Sequence, residues 1–404
     1  MKILIVNQPI NNRGDEAAHK AFVRSLASKM KEDRFKVLFT TPSESSVESM
    51  NPHVKNVDYV NHRYCLPRRM RLVIRLAFQF NMVSFLQLYP IFRSIKKEIV
   101  DSDYIINAPG GICLGPFRNW LHAYILYLAN KECKPVAYYS RSFGPFLSIG
   151  KEYVIFNRLA TKLLRNLDFL SIRDTKTMRI ADELNLNYVN AIDTAFLNCP
   201  SVEVPCNLES PYCVFVPNSL TWHSFFEDCD ENYIFDLYLS ILYFISKSFP
   251  HITICLLPQL YNSNISDYNY FCELERRAKL SNVVILPDTF NSDIQQKVVA
   301  GAEFCIGARY HSVVFAINNC SPVVSLSYEH KMTGLLERLN LANRSIDLAD
   351  CVKNKRNFED ILAELRAIID LSYNVEKAKR QAMEIAQECE GMLIERIKKH
   401  CYRK

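Results

Sequence analysis

Short runs of β-branched and aromatic residues alternate along this chain with stretches whose apolar positions recur every three or four residues. In the first half KILIVN precedes a helical stretch from Asp15 to Ser28; KVLFT and DYIINA follow, then a helix from Trp120 to Asn130. PVAYYS, DFLSIRD and a helix from Thr175 to Leu184 complete the series. Apolar runs of this length, bounded by polar turns and separated by amphipathic helices, predict βαβ units and a parallel sheet covered on both faces. After Pro211 the pattern restarts. CVFVPN, a helix from Tyr233 to Lys247, HITICLLPQ, a helix over Tyr270 to Leu280, NVVILPD, a helix near Ile294 to Val299, EFCIG, a helix from Ser312 and PVVSLS predict a second doubly wound lobe. The polar, Pro-containing stretch 198–211 reads as the linker, and Phe358 to Lys404 reads as helices, the last long and amphipathic.

At 404 residues the chain exceeds one ordinary core, so two lobes facing a cleft are expected. The expected division is 1–200, 201–355 and a helical remainder 356–404. With 49% hydrophobic and 23% charged residues, neither a disordered chain nor a fibre fits. The net charge of +6 is spread over interleaved acids and bases, which speaks against a nucleic-acid partner and leaves anionic small molecules or an anionic membrane surface. None of the 14 cysteines forms a CxxC pair, so no structural zinc or disulfide framework is expected, and a reducing cytoplasm suits the chain. The opening MKILIVNQ runs straight into a strand and lacks the pattern of a signal peptide.

Glycine is scarce, 10 in all, and seven of them (Gly14, Gly110, Gly111, Gly115, Gly144, Gly301 and Gly307) lie in or beside turns around predicted strands. Ligands of open α/β sheets bind at the carboxyl ends of strands, so these turns are the first places to look. The block GARYHSVVFAINNCSPVVSLSYEHK, 307–331, sets Arg309 and His311 at a helix N-terminus after a buried strand, and Lys331 past the next strand. Helix-end amides, a guanidinium fork, an ammonium and an imidazole suit one small polyanion. The structural alternative is that Arg309 caps a nearby carbonyl and His311 is a core histidine. In the loop 7–22, Asn11, Asn12 and Gly14 precede Asp15 and Glu16, which open a helix. Asp15 reads either as the N-cap or as a carboxylate for a sugar hydroxyl. Neither GxGxxG nor a Walker lysine occurs there. NAPGGICLGPF, 107–117, is a turn that brings amides to a ligand. Arg141, Arg173 and Asp193 stand at further strand ends, and Arg173 beside Asp174 also suggests a structural ion pair.

In this order, NNRGDEA, PGGICLG, SIRD, DTAF and the 307–331 block resemble the signatures of the polysaccharide pyruvyl transferase family over about residues 1 to 345. That resemblance implies a two-domain fold similar to GT-B glycosyltransferases. It implies transfer of a pyruvyl group from phosphoenolpyruvate (PEP) to two hydroxyls of one sugar, giving a cyclic ketal, with no cofactor beyond that donor. It assigns Arg309, His311 and Lys331, with Arg141 as a further candidate, to PEP. Asn12, Gly14, Gly110, Gly111, Arg173 and Asp193 become candidate acceptor contacts. Pro109 and Arg13 depart from the family pattern beside those turns. The chemistry needs an acid for C3 of PEP and a base for the hydroxyls, which suggests His311 and Asp15, and it calls for no metal. A nucleotide-sugar glycosyltransferase of the same architecture is the alternative, and a non-catalytic sugar-binding protein the third reading.

Residues 68–92 are apolar but interrupted by Arg75, Gln79 and Asn81, too polar for a membrane span. Two amphipathic helices there either pack into the first lobe or lie on an anionic membrane, where a lipid-linked sugar acceptor would be met.

Overall fold

The computed structural model describes every residue except 11, 40–43, 62–67, 148–149, 206–207, 209–210, 221–225, 227–230, 262–265, 372–373 and 402–404, and the side chains of 44–46, 61, 68–69, 151, 231 and 401. The chain divides into two compact units. The first comprises Met1–Ile10, Ala18–Asn198 and Glu384–Lys404, the second Asn11–Ala17 and Cys199–Met383. The division therefore differs from the sequence boundaries at three places, the first being that 356–383 belong to the second unit and do not stand apart as a helical remainder. The turn around Arg13 leaves the N-terminal half because Arg13 and Glu16 bond to Gln259, Asp288 and Ser292, and the end of the last helix joins the first unit because Leu393 and Ile397 enter its core.

The first unit carries β1 (Lys2–Val6), α1 (Arg13–Lys29, its first turn grouped with the second unit), β2 (Arg34–Phe39), α2 (Glu44–Met50), β3 (Val57–Asn61), α3 (Arg68–Gln79) and α4 (Pro90–Val100). It continues with β4 (Tyr104–Asn107), α5 (Trp120–Lys131), β5 (Val136–Tyr138), α6 (Lys151–Arg165), β6 (Phe169–Ile172), α7 (Thr175–Glu183) and β7 (Val189–Asn190). Its sheet is parallel throughout, in the order β3-β2-β1-β4-β5-β6-β7. Alternate residues of the central strands serve opposite cores, as the period of two requires. Ile3, Ile5, Tyr104 and Ile106 pack with Phe22 and Leu26 of α1, whereas Leu4, Val6 and Ile105 pack with the side carrying Ile74, Ile95, Tyr124 and Phe156.

The second unit carries β8 (Tyr212–Val216), α8 (Glu231–Ser248), β9 (Thr253–Leu256), α9 (Asp267–Ala278), β10 (Val283–Ile285), α10 (Ser292–Ala300), β11 (Cys305–Gly307) and α11 (Tyr310–Asn318). β12 (Val323–Ser327), α12 (His330–Arg338), β13 (Ser345–Asp347), α13 (Leu348–Lys353) and α14 (Phe358–Asp370) follow, and α15 (Val375–Cys401) runs on into the first unit. Its parallel sheet has the order β10-β9-β8-β11-β12-β13. Both sheets are thus doubly wound, and in each the order reverses beside the first strand, between β1 and β4 and between β8 and β11. Three strands were not evident in sequence: β3, β7 and β13. All lie at sheet edges, and their polar residues break the apolar run that marks a central strand.

The segment 68–92 folds as α3, a 3-10 turn over Val83–Leu88 and the start of α4. Ile74, Ala77, Val83, Leu86, Ile91 and Phe92 enter the core, so the inner stripe packs into the first unit. No helix among the described residues is long and apolar enough to cross a membrane.

Candidate active site

In the second unit β11 ends at Gly307, and Arg309, in extended backbone (φ −125°, ψ 137°), is the N-cap of α11. Because β8 and β11 are neighbours at the reversal of strand order, this helix end stands at the switch point of its sheet. Its first-turn N–H groups carry the positive end of the helix dipole.

Arg309 does not cap a carbonyl. Its Nη2 donates to Asp267 Oδ1, both side chains being buried. Asp267 Oδ2 in turn accepts the backbone N–H of Gln259 at 2.9 Å and of Leu260 at 2.8 Å. One carboxylate at the start of α9 therefore fixes both the loop after β9 and the orientation of the guanidinium. Among the described residues Arg309 Nε has no hydrogen-bond partner, and the buried amide of Gln259 has none at either end. Unpaired buried donors and acceptors are costly in a dry site and point to a polar ligand.

Lys331 is the second residue of α12. Its Nζ pairs with Glu329 at 2.7 Å and stands 5.5 Å from the centroid of the Tyr310 ring. That ring meets the His311 imidazole edge to face, with centroids 5.0 Å apart. Tyr310 thus links Lys331 to the buried His311 beside Arg309.

The N-terminal loop joins the same place. Asn12, and not Asp15, caps α1: its Oδ1 accepts the N–H of Gly14 at 2.7 Å and its carbonyl accepts that of Glu16 at 3.0 Å. Asp15 consequently sits inside the first turn, a position that suits a carboxylate for dipole reasons. Arg13, whose side chain is turned inward, donates Nη1 to Glu16 at 2.7 Å and Nη2 to the carbonyl of Asp288 at 2.8 Å, and stacks 3.8 Å from the Tyr261 ring centroid. Glu16 is wholly buried and accepts both the N–H and the hydroxyl of Ser292 at the start of α10, at 2.9 and 3.0 Å. These bonds leave Gly14 pressed on the imidazole: a Cβ placed on Gly14 would lie far inside van der Waals contact with Cγ and Nδ1 of His311. Only glycine allows that approach, so the NNRGDEA loop and the 307–331 block form one site.

The candidates in the first unit behave differently. Arg141 is buried and every nitrogen of its guanidinium donates: Nε to the carbonyl of Gly111 at 3.0 Å, Nη1 to those of Asn7 and Ala108 at 2.9 and 2.8 Å, and Nη2 to Cys113 Sγ at 3.0 Å. It fastens the glycine turn to the end of β1. Gly110 has φ +155°, and a Cβ there would meet Pro9 at 2.7 Å and Arg141 Cζ at 3.3 Å; at Gly111 a Cβ would meet nothing within 4 Å. Arg173 pairs with Asp193, not with its neighbour Asp174: Nη1 to Oδ2 is 2.5 Å, and Asp193 Oδ1 also accepts the N–H of Ala195. Asp174 instead caps α7 through Thr177 and accepts the hydroxyl of Ser142. Behind the glycine turn, burial and the adjacent Arg141 hold the His122 imidazole well below its usual range.

Of the candidates, the structure brings together Asn12, Gly14, Asp15, Arg309, His311 and Lys331 within the second unit, while Gly110, Gly111, Arg141, Arg173 and Asp193 belong to the first. Sequence reasoning missed Asp267, Gln259 and Glu16. Asp267 looks like any first-turn helix acid, and nothing local shows that it meets a residue 42 positions away. Among the described residues no group of three or more His, Cys, Asp or Glu side chains is placed to hold a metal ion.

A family model described as polysaccharide pyruvyl transferase matches residues 12–330. The chain is 21% identical over 418 residues to the amylovoran biosynthesis protein AmsJ of Erwinia amylovora, covering 95% of this chain and 96% of that one. Among solved structures, UDP-GlcNAc 2-epimerase of Neisseria meningitidis bound to UDP-GlcNAc is similar at TM-score 0.59 and 12% identity, covering 99% of this chain and all 100% of the other. Medicago truncatula UGT71G1 complexed with UDP-glucose is similar at 0.57 and 11%, covering 98% of each chain. At such identities these likenesses concern the fold alone: two parallel-sheet α/β domains of the kind found in GT-B glycosyltransferases and sugar-nucleotide epimerases.

Proposed function

The chain belongs to the polysaccharide pyruvyl transferase family, and from that premise we propose that it transfers a pyruvyl group from PEP to two hydroxyls of one sugar in a precursor of an exopolysaccharide or capsule. The observation that supports this reading is the contact of Gly14 with His311, which gathers an imidazole, two cations and a helix N-terminus with the carboxylate-bearing turn of Asp15. PEP carries a phosphate and a carboxylate, and Arg309, Lys331 and the amides of α11 supply the opposing charge.

In the proposed scheme His311 gives its proton to C3 of PEP while one sugar hydroxyl adds to C2. Asp15 takes that hydroxyl proton and returns it through solvent to His311, which restores both groups for the next turnover. The C2–O bond to phosphate then breaks, the second hydroxyl adds to the oxocarbenium-like C2, and its proton leaves with the phosphate. One ketal and one phosphate result, with every proton accounted for. Arg141 has no place in donor binding here, since its donors hold the glycine turn; Gly111, with open space at its α-carbon, is the better acceptor contact. We place the acceptor on a lipid carrier at the cytoplasmic membrane face.

The test is thermal unfolding with PEP or UDP added. A ligand at about 100 times its Kd stabilises the folded state by about 2.7 kcal/mol. PEP should raise the midpoint of the wild type and raise it less for Arg309→Lys, which keeps a charge for Asp267 but loses the fork; UDP should do nothing. A shift with UDP and none with PEP would sink the pyruvyl reading.

A further inference from the structure

We infer that the outer face of residues 71–89, with Phe117 and Arg118 beside it, docks on an anionic phospholipid surface. The inference does not rest on the donor or on ketal formation.

Seven of the sixteen exposed large apolar side chains among the described residues lie between Leu72 and Tyr89. Singly exposed apolar residues are ordinary, but a cluster of this kind is not. Its arrangement follows from helix geometry. Leu72, Leu76 and Phe80 recur every four residues from α3 onward, opposite the buried Ile74 and Ala77. Met82, Phe85 and Leu88 recur every three residues, the eclipsed spacing of a 3-10 helix, opposite the buried Val83 and Leu86. Phe80, Phe85 and Leu88 are 63%, 58% and 73% exposed.

The charge around these stripes selects the occupant. From Tyr59 to Lys97 the sequence holds no Asp or Glu and eight Lys or Arg: Arg63, Arg68, Arg69, Arg71, Arg75, Arg93, Lys96 and Lys97. Arg68, Arg69 and Arg71 stand in the first turn of α3, where positive charge opposes the helix dipole. A placement that works against the helix calls for another reason, and attraction to phosphate headgroups supplies one. Between α3 and the loop after the glycine turn lies a cavity of about 500 Å³, lined by Arg71, Leu72, Arg75, Phe117, Arg118 and Trp120 among others. Arg75 and Arg118 share Glu152 at 3.1 and 3.0 Å, and Phe117 at its rim is 72% exposed. Basic groups over an apolar ring are the makeup of an interfacial helix, which sinks its apolar side to the acyl boundary and leaves its cations among headgroups.

The test is flotation of the full chain with vesicles of phosphatidylcholine alone or mixed with phosphatidylglycerol, at low and high salt. The wild type should float with the anionic vesicles only, and less at high salt. Phe80→Ser/Phe85→Ser/Leu88→Ser should abolish flotation, and Arg71→Glu, removing one charge and adding its opposite, should weaken partitioning roughly 25-fold, about fivefold for each unit of charge. Leu88→Ser alone, at the most exposed position, should weaken it without lowering the unfolding midpoint. A wild type that ignores anionic vesicles overturns the inference, as does flotation untouched by these variants. So does sedimentation showing a wild-type dimer that the triple variant converts to monomer, which would assign the face to a second copy of the chain.

Discussion

Gly14→Ala tests the site at its tightest point. Elsewhere in a helix this change would gain up to about 1 kcal/mol, because alanine loses less backbone freedom on folding. Here the new methyl falls on Cγ and Nδ1 of His311 and also closely approaches its Cβ. The imidazole is 7% exposed and packed against Tyr310 and Phe315, so it cannot swing into solvent. Overpacking of this kind costs about 1 to 3 kcal/mol, which outweighs a propensity gain reduced at the helix terminus. A net loss of about 1 to 2 kcal/mol in urea unfolding is expected. Displacing the ring by about 1 Å should lower the turnover of a His311-dependent reaction about 100-fold. The decisive comparison is a double-mutant cycle with His311→Gly, which removes all three clashing atoms. If the strain lies between these residues, Gly14→Ala should cost less in the His311→Gly background, with a coupling of about 0.5 to 3 kcal/mol. Strict additivity, or a Gly14→Ala protein as stable and as active as the wild type, would refute the account of a single assembled site.

Other outcomes follow from the first unit. Arg141→Lys strips donors from three carbonyls and a thiol in a buried place, and should lower stability by about 3 kcal/mol in urea unfolding. Arg173→Met should cost about 3 to 5 kcal/mol by leaving Asp193 charged and buried, whereas Asp174→Ala should cost about 1 to 2 kcal/mol for its cap and the bond to Ser142. Stability should also fall on acidification. Burial, then the charge of Lys20, lower His19 from 6.5 to about 3, and burial lowers His122 in the same direction. Below pH 6.5 the unfolded chain takes up protons that the folded one refuses, so the contribution is complete above 6.5 and lost as pH falls towards 3. The slope is up to about 1.4 kcal/mol per pH unit for each histidine. His19→Gln should flatten the pH dependence of the urea midpoint between 6.5 and 4.5 by one proton's share.

Alternation, periodicity and the spacing of glycines are local quantities, and they sufficed for the two doubly wound sheets, the central strands and the helix N-terminus that carries Arg309 and His311. They sufficed because a strand buried on both faces must be apolar throughout and because a βαβ crossover has one favoured hand. The amphipathic character of 68–92 was legible for the same reason, though not which stripe stays outside. The edge strands β3, β7 and β13 escaped notice because polar residues interrupt their apolar runs, whereas the edge strand β10, with its run of Val and Ile, was legible.

Tertiary structure alone decided which polar groups meet. Arg141, Arg173 and Arg309 look alike in sequence, each beside a strand end. Folding gives one to backbone carbonyls, one to Asp193 and one to Asp267. Asn12 rather than Asp15 caps α1, in a turn whose Arg13 and Glu16 bond to Gln259, Asp288 and Ser292, far along the chain. A buried charge takes whichever partner the topology brings within hydrogen-bond reach, and that distance bears no relation to separation along the chain. The need for glycine at position 14 is the sharpest instance: its scarcity hinted at function, but the reason, an imidazole from α11 lying where a methyl group would be, exists only in the folded chain.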